Sequence, residues 1–342
     1  MKRIFITFYF IAISIICFAV DNLFQAGGVN NNWSTIGNWS QGTVPTASDG
    51  YVTRFDATSP NCIIDASSVC NSINFTGYTN TITFNGHLTV SGDITLENTM
   101  TIAGIYNLYV NNTATLTSDG KSFPNGFNFI ATKTYTLADD WNVGRLTLAV
   151  NSPTINGNTI TTVDCITNTY GTVAQGTTTI IISGSWTCST ASYIKNNVTF
   201  NSAGTITISG NIYYNTGILT YTAGTIDWTG GTLNVGTCTL NLGGQTLNNF
   251  NIRDASAVVT LASGFTVGGT FTNTATTGAH QSILSSSSPT QRAVILSGTA
   301  TLNYLDATDI DSSGGLTILS LGGVLSNTLN WINAPSSFFI MF

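Results

Sequence analysis

The chain has 342 residues, of which only 7% are charged, and a formal net charge of −6. Helical proteins draw on Ala, Leu, Glu and Lys, and here Glu97 is the sole glutamate, so a helical fold is excluded. Lys and Arg total 9 against 15 Asp and Glu, which excludes a phosphate-tracking nucleic-acid binder, and a 42% apolar content with 18 Phe excludes a disordered linker.

In chain order, the first element reads as an export signal. Lys2 and Arg3 precede an apolar run from Ile4 to Val20, with a small residue at Ala19. A charged start, an apolar centre and a small residue at the exit make a secretory signal peptide over residues 1–19. The alternative is an uncleaved anchor, because the run is near the shortest length that spans a bilayer. Cys17 follows Ile16 rather than the small residue that a lipoprotein signal needs. Cleavage at Ala19 predicts a secreted or cell-surface protein with no membrane span. It also removes Lys2 and Arg3, leaving a balance of 7 − 15 = −8.

Residues 20–60 differ in texture from the rest. Asn32-Trp33-Ser34 and Asn38-Trp39-Ser40 are followed by Gly42, Pro45, Asp49 and a strand-like run from Tyr51 to Phe55. Beyond them lie five cysteines: Cys62, Cys70, Cys165, Cys188 and Cys238. Export permits disulfides. Cys62 and Cys70 flank the turn-like Asp65-Ala66-Ser67-Ser68 and are expected to pair. An odd number leaves at least one thiol unpaired within the chain. No Cys or His spacing matches a zinc site, and His87 and His280 read as isolated surface side chains.

From Thr79 onward one small unit repeats. Polar and apolar residues alternate for about four positions, and then Gly, Asn or Ser turns the chain. Thr81-Ile82-Thr83-Phe84, Leu88-Thr89-Val90 and Ile94-Thr95-Leu96 begin it. The clearest stretch has units starting at residues 198, 205, 212, 218, 225, 232, 239 and 246. Gly204, Gly210, Gly217, Gly224, Gly230 and Gly231 fall between those units, where the chain must bend. A sandwich or barrel uses longer strands and more varied loops. Short strands with tight corners fit a β-solenoid. Three sides of about seven residues make a coil of roughly 21, and such coils stack about 4.8 Å apart. The spacing is too loose for a strict hexapeptide left-handed helix. The expected fold is therefore an all-β, right-handed parallel β-helix over residues 61–335.

An open first coil would pair with another chain, so a solenoid needs a cover. Residues 20–60 read as that N-terminal cap, with Trp33 and Trp39 as apolar plugs. The alternative for these two indoles is an aromatic platform for a sugar ring. Residues 336–342 form an apolar tail, Ser336 to Phe342.

The pattern Trp33, Asn38-Trp39-Ser40, Gly42, Pro45 and Asp49, followed by Thr/Asn/Gly strand ladders, resembles the start of bacterial extracellular parallel β-helix repeat proteins. Adhesin-like and autotransporter-passenger-like surface proteins are the nearest group. The ending is similar to theirs as well: Thr301-Leu302-Asn303-Tyr304, Asp306, Asp309, Asp311-Ser312-Ser313-Gly314-Gly315 and Asn330-Trp331. The resemblance implies a right-handed parallel β-helix and a surface or secreted role. It carries over no catalytic residue. The chain departs from those groups in showing no sorting motif and no barrel-forming domain.

Pectin-degrading enzymes use the same fold, so catalysis has to be tested. Sugar hydrolysis needs two carboxylates flanking a bond. Two acidic clusters stand out: Asp139-Asp140-Trp141, and Asp306, Asp309 and Asp311. Asp309 and Asp311 share a face if their segment is a strand, and would then offer oxygens to Ca²⁺. The plainer reading is turn and corner aspartates. No Gly-x-Ser-x-Gly, His-Glu-x-x-His or phosphate-loop motif is present. Thr-x-Thr units such as Thr81-x-Thr83 and Thr205-x-Thr207 suggest an ice-binding array, but Asp227, Asn234 and Asn241 interrupt it. The expectation is an exported, non-catalytic structural or adhesive element without cofactor or metal. Its expected partners are surface glycans or a host or neighbouring cell surface, and not nucleic acid. The alternative is a carbohydrate-binding module using surface aromatics such as Tyr213. A polysaccharide-degrading enzyme or an ice-binding protein ranks below both.

Overall fold

A computed structural model describes residues 20–25, 27–148, 153–167, 171–188, 192–274 and 281–334. The expected signal peptide at 1–19, His280 and the apolar tail at 336–342 lie outside the described residues. The described residues form 37 strands and one short 3-10 turn, Ile36–Asn38. Neighbouring strands run parallel, and partners sit about one coil apart in sequence. Leu88 lies beside Leu108, and Leu219 beside Leu240. The chain is thus a parallel β-solenoid of about 13 turns.

Three faces run along the rod. The first begins with Val20–Leu23, Tyr51–Arg54 and Ser72–Asn74 and ends with Trp331–Ala334. The second begins with Cys62–Ile64 and Thr81–Phe84, and the third with Ser68–Cys70 and Leu88–Val90. Period-two alternation decides which side chains enter the core. Within Thr205-Ile206-Thr207-Ile208 both isoleucines are fully buried and the threonines face outward. Leu219, Leu240 and Leu261 stack in one inward column, all fully buried. Each such side chain contributes about 1.5–3 kcal/mol, but only because the turns above and below complete its surroundings.

The middle of the rod departs from the expected unit. Ser122–Phe129, Trp141–Leu148, Ile160–Thr167, Thr179–Cys188, Asn197–Gly210 and Ile218–Thr229 each run across two faces as one long strand. Val198–Phe200 and Thr205–Ile208 therefore belong to one strand of 14 residues, and Gly204 does not break it. The pairing with the next turn instead shifts register on either side of Asn201. A β-bulge absorbs the corner there, so the chain bends without leaving the ladder. Toward the C-terminus the two faces separate again, as Cys238–Asn241 and Thr246–Leu247.

The N-terminal end is closed by aromatic packing. Trp33 and Trp39 meet edge to face with centroids 4.8 Å apart, and Phe24 packs on Trp39 at 5.0 Å. Phe55 stacks on Phe75 at 4.8 Å and so joins this cluster to the next turn. Buried Asn38 accepts from the Gly28 N–H at 2.8 Å and donates to the carbonyls of Asn30 and Asn32 at 2.7 and 2.9 Å. The Trp39 indole N–H donates to the Trp33 carbonyl at 2.8 Å. The cap is continuous with the ladder, because Val20–Leu23 already pairs with Tyr51–Arg54.

The expected disulfide between Cys62 and Cys70 is not formed. Both are buried, free thiols. Cys62 opens the strand Cys62–Ile64 on the second face, while Cys70 ends Ser68–Cys70 on the third. The intervening corner carries them into different walls of the core. Burial raises the Cys62 thiol well above its ordinary pKa and pushes Cys70 up to about 12.

Candidate functional site

The three aromatics singled out by sequence have separate fates. Trp33 and Trp39 are sealed inside the cap, so neither offers a ring to a sugar. Tyr213 is half-buried on the first face, in the strand Ile212–Tyr214. The next turns place Asn234, Asn251 and Thr272 at the same register position. The Thr272 hydroxyl donates to the Asn251 carboxamide oxygen at 3.0 Å, and the Asn251 amide donates to Asn234 Oδ1 at 2.9 Å. The Arg253 guanidinium lies over the Tyr213 ring, 5.2 Å from its centroid. That cation–π contact occupies one face of the tyrosine and leaves a polar ladder with a partly covered ring.

The acidic clusters serve the corners. Asp139 accepts the backbone N–H groups of Ser118 and Asp119 at 2.7 and 2.6 Å, and Asp140 accepts that of Thr159 at 2.8 Å. Asp306 accepts the Val324 N–H at 2.6 Å. Asp309 and Asp311 do not share a strand face. Asp309 sits at φ 57 before the two-residue strand Ile310–Asp311, so a left-handed corner separates them. The Ser313 hydroxyl and backbone N–H hold the Asp311 carboxyl below its ordinary pKa. Carboxylates engaged this way satisfy backbone donors that a tight corner leaves open. Among the described residues, no group of three or more His, Cys, Asp or Glu converges as a metal would require.

A groove missed by the sequence reading lies along the ridge where the second and third faces meet. It has a volume of about 470 Å³ and is lined by Ile105, Asn107, Asn125, Arg145, Val163 and Asp164, among others. Register brings these residues together. Gly126, Arg145, Asp164 and Ser185 are partners on four successive turns. Arg145 Nη2 lies 3.8 Å from Asp164 Oδ2, with the two side chains 53% and 36% exposed. The Ser185 hydroxyl donates to Asp164 Oδ1 at 2.8 Å and fixes that carboxylate. At position 144, which also lines the groove, a Cβ would stand 2.0 Å from the Pro124 carbonyl oxygen, so only glycine fits and the floor stays open. The buried amide nitrogen of Asn125 has no hydrogen-bond partner.

An aromatic cluster adjoins this groove. The His87 ring stands between Tyr106 and Tyr109, with centroids 4.9 and 5.1 Å away, and His87 Nδ1 accepts the Asn107 N–H at 3.1 Å. The Ile105 side chain beside it is 82% exposed. The chain offered one signal for this site. His87, Asn107, Gly126, Arg145, Asp164 and Ser185 recur at nearly even steps, a regularity that acquires meaning only when the turn length is known.

No protein-family model matches the chain, and no curated protein or solved structure matches it either.

Proposed function

We propose that the chain is an exported, non-catalytic β-solenoid that acts as an extended structural or adhesive element at the cell surface. The observation that supports this reading is the outward side of the rod. Thr239, Thr260, Ser285, Thr308 and Ser326 form one hydroxyl column over five turns of the second face. Asn234, Asn251 and Thr272 form another polar column on the first face. Parallel stacking repeats such groups about every 4.8 Å. Many equivalent weak contacts along one rigid rod add up by multivalency rather than through one deep site. Export is motivated by Lys2, Arg3 and the apolar run to Val20. No helix among the described residues is long and apolar enough to cross a membrane.

Two measurements test this proposal. N-terminal sequencing of the exported protein should find a start at Val20; retention inside the cell with Met1 intact overturns export. Particles coated with the purified rod should adhere to cells more than uncoated ones. Equal adhesion removes the adhesive role.

A second reading is a carbohydrate-binding module on the same scaffold. The ridge groove favours it, because exposed apolar walls stand beside an Arg–Asp pair and two carboxamides. A glycan array probed with the full mature chain tests it.

A further inference from the structure

We propose that the ridge groove is a subsite for a neutral saccharide, with Arg145 and Asp164 together gripping two adjacent hydroxyls. This inference rests on the carbohydrate-binding reading and names its site and ligand chemistry. At 3.8 Å the Arg145–Asp164 contact is too long for a strong hydrogen bond, so each partner keeps hydrogen-bonding capacity for a ligand. A fork of N–H donors beside a carboxylate acceptor matches a vicinal diol, since every hydroxyl both donates and accepts. Ser185 already holds the carboxylate, so little ordering is left to binding. The charges of the pair balance, so the groove offers an anionic sugar no net attraction and suits a neutral one.

The rest of the groove fits the same chemistry. A sugar ring has a C–H face as well as hydroxyl edges. Ile105 and Val163, both exposed, with Pro124 supply apolar wall for that face. Next in the chain to Ile105, Tyr106 packs on His87, whose other side meets Tyr109. The Asn107 and Asn125 carboxamides add polar groups to the same lining. The volume of about 470 Å³ lies within the roughly 300–1,000 Å³ usual for small-molecule sites.

The test uses the full mature chain on an array of neutral and acidic oligosaccharides, then calorimetry on the strongest hit. R145A and D164N are expected to weaken a neutral glycan by about tenfold or more. R145K is expected to weaken it too, because lysine keeps the charge but lacks the fork. Y213A should bind like the wild type, and all four variants should keep the wild-type melting temperature. If Y213A abolishes binding while R145A and D164N retain it, the carbohydrate reading stands and this inference fails. If the best ligand is acidic and D164N tightens it, the neutral class is wrong. If no glycan binds, the carbohydrate reading and this inference fall together.

Discussion

The N-terminal cap and the ridge groove use the same residue types to opposite ends. In the cap, Trp33, Trp39 and Asn38 turn inward and Asn38 satisfies its polar groups on neighbouring backbone. Beside the groove, Tyr106 and Tyr109 keep solvent contact, and Asn125 on its lining carries a donor without a partner. The difference follows from position on a rod. An end exposes open strand edges and must be covered with whatever apolar mass the chain supplies. A side wall has its backbone already paired, so its outward residues are free to serve a ligand. At the end the rings are buried, while on the flank an outward ring such as Tyr106 stays exposed.

Substitutions break or sharpen that contrast, and the largest effect belongs to the core that both regions share. Ile206→Asp places a carboxylate without a partner in the fully buried column and should cost about 4–5 kcal/mol. Its neighbour Thr207 faces outward, so Thr207→Asp should cost only about 1 kcal/mol, mainly as lost strand preference. Equal unfolding of the two variants in denaturant would show that the wall is buried on both sides.

The next effect separates end from flank. Trp39→Ala removes the plug and its bond to the Trp33 carbonyl, and should cost about 3–5 kcal/mol. Tyr106→Ala takes away an exposed ring and should stay within about 0.5–1 kcal/mol. Chemical denaturation of both variants decides the matter. A Trp39→Ala protein as stable as Tyr106→Ala sinks the plug.

The smallest effect is acid sensitivity, to which carboxylates at the cap and its first coil contribute. The Thr58 hydroxyl and backbone N–H hold the Asp56 carboxyl below its ordinary range. Burial pushes Asp65 up, but the Ser34 hydroxyl and N–H together outweigh it and leave this carboxyl low as well. For depressed carboxylates the stabilisation is complete above the unfolded pKa of about 4 and is lost as pH falls through the lower folded values. Tryptophan emission should therefore stay constant from neutral pH to about 5 and change only below about 4. A transition near pH 6 contradicts this assignment.

Strand identity and facing were legible because both are local. Alternation within Thr205-Ile206-Thr207-Ile208 states which side is wet without knowledge of any other turn. The regular spacing of the units also implied the length of a coil, and Leu219 beside Leu240 agrees with it. Other features depended on contacts between turns. Gly204 looks like a strand end, yet a bulge carries the ladder past it. Cys62 and Cys70 look like neighbours across a turn, yet the turn is a corner between two walls.

By itself, then, the chain determined the all-β class and the inward and outward sets. Each follows from side-chain alternation or composition within a few residues. Tertiary structure alone decided the lateral neighbours. Turn lengths vary: the step from Leu261 to its partner Ser286 is longer than the step from Arg145 to Asp164. A fixed period read along the sequence drifts out of step within a few turns. The backbone pairing resets the register at every rung, and that resetting assembles Arg145, Asp164 and Asn125 around one groove.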